Sequence, residues 1–442
     1  MKRIILITLE ILFVSFLFTL PVLADDSIKG AISLSEAIKT AVENNFSVKE
    51  AVENHKGSIQ EKKSALADMF AKTSANYSFT SLHKGPVMKT MPVETQVADR
   101  TQYHWDITLI QPLFTGFALK TRYDMTGLGV RIKELEKEQT ILDVIQKVKS
   151  SYFNVLLTRK MLQVTDDAVK SLEAHESDAQ KYYNEGLIPY NDLLRAKVAL
   201  ADVVQNREKV NAGVSMSISH LNMLMGVDIN KETEIIDNVV INPSKYNLDT
   251  LINEAMKNRP VIKALGLGLK TLEKVIKIEQ SAYYPEIALV GRYEQNGNNP
   301  EVTENDFNNV VNANLTIQAK WIFFEWGKVR YRILKARHDK QAMIEKIKGI
   351  EEGIKLEIKN AFLNLNVAEK NIKTAEQSLG QAKENWRITN LQFNQQIATT
   401  TEVLDARTFL NQADTNYYKS LYGYLISLSE LERAVGKNQN RS

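Results

Sequence analysis

The chain has 442 residues, 44% hydrophobic and 25% charged, with a net charge of +3 and no cysteine. A balance so close to neutral excludes a surface built around phosphate contacts, so nucleic acid is not an expected partner. The absence of cysteine excludes disulfide scaffolds, thiolate metal sites, cysteine nucleophiles and a lipid-bearing N-terminal cysteine.

Lys2 and Arg3 precede an apolar run, Ile4 to Leu23, in which Glu10 is the only charge. Val22-Leu23-Ala24 then offers small residues at −3 and −1, before Asp25-Asp26. That order predicts a secretory signal peptide over 1–24 and an exported chain. The run is also long enough to span a bilayer, so an uncleaved anchor is the competing reading.

The remainder reads as two copies of one pattern, 25–236 and 237–442. Leu34–Phe79 aligns with Leu248–Tyr293, pairing Asn44-Asn45 with Asn258-Arg259. Further on, Phe114 meets Phe324, Tyr183-Asn184 meets Phe393-Asn394, and Gly226 meets Gly436. The register slips between Leu82 and Tyr103, a stretch holding Gly85, Pro86 and Pro92, where a surface loop is expected. Each copy therefore reads helix, strand, loop, strand, long helix, turn, helix.

None of the nine prolines lies between Leu113 and Leu187 or beyond Pro300. There the spacing is helical. Ile141, Ile145, Val148, Tyr152 and Val155 form one stripe; Leu410, Ala413, Tyr417, Leu421, Tyr424, Leu428, Leu431 and Val435 form another. Segments 116–184 and 327–395 predict helices of about 100 Å, roughly three times the hydrocarbon thickness of a bilayer. Tyr417, Tyr418, Tyr422 and Tyr424 read as packing residues of such a helix.

Four other segments alternate. In 312–321, Ala313, Leu315, Ile317, Ala319 and Trp321 interleave with Asn312, Asn314, Thr316, Gln318 and Lys320. Segments 103–111, 286–294 and 74–82 follow the same rule with less regularity. A half-exposed soluble sheet produces alternation too, but export and the long helices favour transmembrane β-strands, apolar toward lipid and polar toward a lumen. Trp105 and Trp321 are then candidate interfacial anchors, with core packing as their alternative. Four strands cannot close a barrel and an open edge cannot face lipid, so several copies must pool their strands. Three copies give twelve strands and room for a channel, whereas the eight of a dimer are filled by side chains.

Four segments then resemble the TolC family of outer-membrane efflux channels. They are Leu34-Ser35-Glu36-Ala37 running to Glu43-Asn44-Asn45, Gln111-Pro112-Leu113-Phe114-Thr115-Gly116, Tyr183–Ala196, and Arg259-Pro260-Val261-Ile262-Lys263-Ala264. The resemblance implies a mainly α fold with a small β part. Long antiparallel coiled-coil-like helices form an α-barrel across the periplasm, and four strands per chain contribute to a 12-stranded trimeric transmembrane β-barrel. It also implies a passive exit duct in the outer membrane of a Gram-negative-type cell. Such a duct serves tripartite efflux or type I secretion and is coupled to an inner-membrane pump through a periplasmic adaptor. An exported coiled-coil scaffold or adaptor without a pore is the alternative. Pro112 and Pro285 are expected where strand meets helix. Loops 83–102 and 297–309 are expected outside the cell, with the turns near 185–190 and 396–399 toward the inner membrane.

No enzyme signature is present, and neither a catalytic residue nor a metal or cofactor is expected. His175-Glu176 lacks a second histidine four residues on, because position 179 is Ala. Gly127-x-Gly129 and Gly266-x-Gly268 lack the third glycine of a dinucleotide loop. The six histidines are scattered.

Through the resemblance, Glu402 and Asp405 fall on positions of an acidic selectivity ring at the periplasmic aperture, and Asn191 and Asp192 on contacts that hold the aperture shut. A tyrosine and an arginine of the family's latch become Phe393 and Ala398 here, so a different lock is expected. Thr399-x-x-Glu402 also reads as a capping box, which explains Glu402 without any ring.

Overall fold

The computed structural model describes residues 30–90, 93–238 and 246–437. The expected signal peptide, 1–24, lies outside the described residues. The first element is not one helix but two, α1 (Leu34–Asn44) and α2 (Phe46–Ala67), separated at Asn45. Ser33 and Glu36 close a capping box on α1. Asn45 leaves the helical region at ψ 132°; its side-chain oxygen accepts from the Ser47 amide at 2.9 Å, while Nδ2 donates to Leu224 O at 2.7 Å. The second copy breaks at the equivalent residue, Arg259, between α5 (Leu248–Asn258) and α6 (Pro260–Ser281). Pro260 at the first helical position fits, since it has no amide hydrogen to lose there.

The strands are β1 (Lys72–Ser81), a small hairpin of β2 (Val87–Thr90) and β3 (Val93–Gln96), then β4 (Thr101–Thr115), β5 (Glu286–Gly297) and β6 (Val311–Lys320). The main sheet is antiparallel in the order β1-β4-β5-β6. Its register puts Asn76, Asp106, Glu294 and Asn312 in one row and Ile107, Tyr293 and Ala313 in the next. The two faces therefore differ in polarity over most rows, with Ile110 and Val290 as apolar residues on the polar face. Within β4 the polar Asp106 and Thr108 are 6% exposed, while Ile107 and Leu109 are 43% and 39% exposed. That inverts the arrangement of a sheet packed on a soluble core.

Pro112 is not at the junction with the helix. It lies inside β4, at a β-bulge between Pro112 and Phe114, where a residue without an amide hydrogen costs little pairing. The turn into the helix is made by Gly116 and Phe117, both left-handed (φ 59° and 68°), and in the second copy by Trp326 and Gly327 (φ 48° and 80°). A Cβ on Gly116 would meet Ser281 O at 2.4 Å. Pro285 directly precedes β5, as expected.

Two long antiparallel hairpins complete the chain. They are α3 (Ala118–Asn184) with α4 (Tyr190–Met225), and α7 (Lys328–Asn394) with α8 (Thr400–Val435). The helices of each hairpin count 67 and 36 residues in both copies. The core lies where the short helices meet these hairpins, around Val148, Tyr152, Val155, Leu221, Ile358, Tyr422 and Leu431. Tyr152 donates to Ile236 O at 2.6 Å. Arg259 donates to Glu357 at 2.6 Å and to Ala434 O at 3.2 Å, and Arg433 bridges Glu357 and Asp143. Gly226 ends α4 so close to the α1–α2 break that a Cβ would meet Asn44 O at 2.4 Å. Among the described residues no helix is long and apolar enough to cross a membrane.

Candidate functional site

The two helical turns lie at the same end of the chain, opposite the sheet. In the first, Gly186 is left-handed (φ 75°) and the Leu187 amide closes on Tyr182 O at 2.8 Å. In the second, Gln396 takes the same conformation (φ 62°) and the Ile397 amide closes on Gln392 O at 2.8 Å. Side chains join the turns: Arg195 Nη1 donates to Thr401 Oγ1 at 2.8 Å, and Tyr182 Oη donates to Asn394 O at 3.4 Å.

Glu402 is held by its cap. Its carboxylate accepts from the Thr399 amide at 2.7 Å and from Thr399 Oγ1 at 2.9 Å, and its own amide donates to Thr399 Oγ1. These bonds, backbone first, hold the carboxyl below the usual glutamate range. Asp405 is exposed one turn further along α8 and has no side-chain partner among the described residues. Val403, Ala406 and Arg407 are buried on the opposite face, so Glu402 and Asp405 share an outward face at i, i+3 spacing. Asn191 is exposed and Asp192 half-buried in the first turn of α4. The helix they open has Pro189 at its cap position and no side-chain cap, so the two copies' turns differ chemically.

Phe393 is buried, 3% exposed, with its ring 4.6 Å from His175 and 5.6 Å from Tyr182. The hydroxyl and guanidinium that do bridge the two turns belong to Tyr182 and Arg195. Sequence reasoning assigned these two, and His175, no role. Their spacing carries no signal, because partners lie some two hundred residues apart. One level up, the buried Arg407 guanidinium stands 5.6 Å from the Trp386 ring.

At the far end of the chain, Trp105 donates to Gln295 at 3.1 Å. Trp321 donates to Tyr283 O at 3.2 Å and is 59% exposed, which removes core packing as its role.

The family model described as outer membrane efflux protein matches residues 37–227 and 251–437. The outer membrane protein TolC of Escherichia coli is 19% identical over 322 residues, spanning 70% of this chain and 64% of that protein. TolC of Salmonella enteritidis is 18% identical over 319 residues, spanning 70% and 63%. The chain thus matches less than two thirds of the length of these relatives. Among solved structures, the Campylobacter jejuni CmeC outer membrane channel superposes with a TM-score of 0.76 at 15% identity, covering 91% of this chain and 85% of that one. The Vibrio cholerae outer membrane protein VceC gives 0.74 at 15% identity, covering 92% and 96%. The matches span both copies of the pattern, and with them the sheet, the long hairpins and the two turns, so the chain belongs to the outer membrane efflux protein family.

Proposed function

We propose that three copies assemble into a passive exit duct in the outer membrane of a Gram-negative-type cell. The observation that carries this reading is the sheet with its polarity reversed, apolar residues outward and Asp106 and Thr108 buried on the other face. Its two edges, β1 and β6, each pair on one side only. Pairing β6 of one copy with β1 of the next closes twelve strands into a barrel that leaves no edge in lipid and encloses a polar lumen. Each repeat, 25–236 and 237–442, supplies two of the strands and one long hairpin, so the helices continue the lumen as a twelve-helix tunnel in the periplasm.

Glu402 and Asp405 then converge from three copies as six carboxylates around one constriction, which attracts cations. Asn191 and Asp192 of the neighbouring turns supply contacts that hold it shut. A duct with no phosphate-binding or dinucleotide motif and, among the described residues, no helix long and apolar enough to cross a membrane calls for an energised partner, so an inner-membrane pump and a periplasmic adaptor complete a tripartite efflux or type I secretion system. A poreless scaffold has no use for an apolar outer sheet face.

The test is reconstitution. The purified chain is expected to be a trimer by mass in mild detergent and to give discrete conductance steps in planar bilayers. A monomer that never inserts overturns the reading.

A further inference from the structure

His175 is 3% exposed on α3, and neither ring nitrogen has a hydrogen-bond partner among the described residues. Its ring packs at 4.6 Å and 58° against Phe393 of α7, the helix of the other hairpin. The second copy does not need this feature: the matching residue, Asn385, is exposed. Other unpaired buried atoms gather at the same end of the hairpins, Thr400 Oγ1, Arg407 Nε and Asn411 Oδ1, all on α8. The junction between the two hairpins is thus packed but poorly satisfied near the turns, where buried polar groups gain partners if water enters.

We propose that His175 makes the entrance acid-responsive: its protonation parts α3 from α7 at Phe393 and loosens the joined turns. A neutral imidazole tolerates an aromatic contact; an imidazolium with no acceptor does not, and attraction to the Phe393 ring offsets only part of the lost hydration. The surrounding charges do not rescue it. On α3, Asp178 is paired with Lys181 at 2.9 Å. Lys197 of α4 leans on Glu176 at 3.8 Å. Glu384 and Arg387 of α7 pair with each other, Glu402 of α8 is occupied by its cap, Asp405 lies on the exposed face, and the buried Arg407 is a second cation.

Burial, against a smaller opposing pull from Asp178, lowers the His175 pKa from 6.5 to about 4. A base depressed in the packed arrangement stabilises that arrangement fully above its ordinary value. The contribution is lost as pH falls from about 6.5 toward about 4.

This inference rests on the duct reading for its consequence but can be tested without it. The chain has no cysteine, so Leu187→Cys with Ile397→Cys places one nitroxide label on each turn, both at exposed positions. Distances are measured by pulsed electron resonance in the full-length purified protein at pH 7.5 and 4.5. With His175 present, a second, longer population is expected at pH 4.5 and vanishes on return to 7.5, a shift on the order of tens-fold in the ratio of the two. In His175→Phe and His175→Gln the distances are expected not to respond to acid. An acid response that survives in both variants, or none with His175 present, overturns the proposal. Conductance of the Glu402→Gln, Asp405→Asn chain at the two pH values, which removes titration of those carboxylates, is expected to rise in acid only with His175. Acid-dependent distances in a chain that never conducts would keep the switch and discard the duct.

Discussion

At the turns, Glu402 and Asp405 present the same charge for different reasons. Glu402 is engaged three times over with Thr399, so its removal costs a helix start as well as a charge. Asp405 has no such duty, and its charge is free for ions. Asp405→Ala is therefore expected to lower cation preference and to abolish block by a multivalent cation added on the side of the helical turns, with Glu402→Ala doing so less. Reversal potentials and block measured in planar bilayers check both. If selectivity and block in Asp405→Ala match the unmodified channel, the ring lies elsewhere. The depressed Glu402 carboxyl adds a pH signature. A carboxylate lowered by its bonds keeps its charge, and its share of helix stability, above the ordinary range and loses both only as pH falls through the lowered value. Cation preference in Asp405→Ala is accordingly expected to persist to lower pH when Thr399 is intact than in Asp405→Ala with Thr399→Ala.

The strands and the helix breaks show how far a single chain can be read by eye. Alternation over ten residues is enough to place β6, because a strand's period of two is a purely local property. The long helices were legible for the same reason, from 3–4 spacing and the want of proline. What escaped were features fixed by distant partners. The break at Asn45 is held by Leu224 O, that at Arg259 by Glu357 and Ala434, and only Pro260 announced either locally. Pro112 was misplaced because a bulge and a strand end make the same demand on the residue, a missing amide hydrogen. In the same way Tyr182, Arg195 and His175 matter through contacts with the other copy that no spacing encodes. The sheet makes a sharp prediction: Ile317→Arg, on the apolar face, is expected to destabilise the assembled barrel by about 2–4 kcal/mol if it sits near the bilayer midplane. Thr316→Arg, one residue away on the polar face, is expected to leave assembly intact and to change conductance. Resistance of the oligomer to detergent and heat separates the two. Arg259→Met is expected to cost about 2 kcal/mol by thermal unfolding, through lost charged hydrogen bonds to a partly exposed Glu357.

The same architecture repeated twice in one chain, and by proposal three times in the assembly, places a polarity change along one axis. At one end, exposed apolar strands require lipid. At the other, hairpins whose helices count 67 and 36 residues carry charge along most of their exposed faces and require water. A helix of 67 residues extends about 100 Å, several times the thickness of the hydrocarbon it would have to cross. The turns therefore stand far from the membrane that holds the sheet, and orientation reduces to which side of that membrane the hairpins occupy. In the proposed duct, whose entrance meets an inner-membrane pump, they lie in the periplasm. The loops joining β1 to β4 and β5 to β6, with polar side chains such as Asp99, Asn298, Asn305 and Asp306, then face the outside. A peptide tag inserted after Asn298 is expected to bind antibody on intact cells, and one inserted at Gly186 only after the outer membrane is permeabilised. Labelling in the opposite order would place the hairpins outside the cell, where no inner-membrane pump could reach the turns.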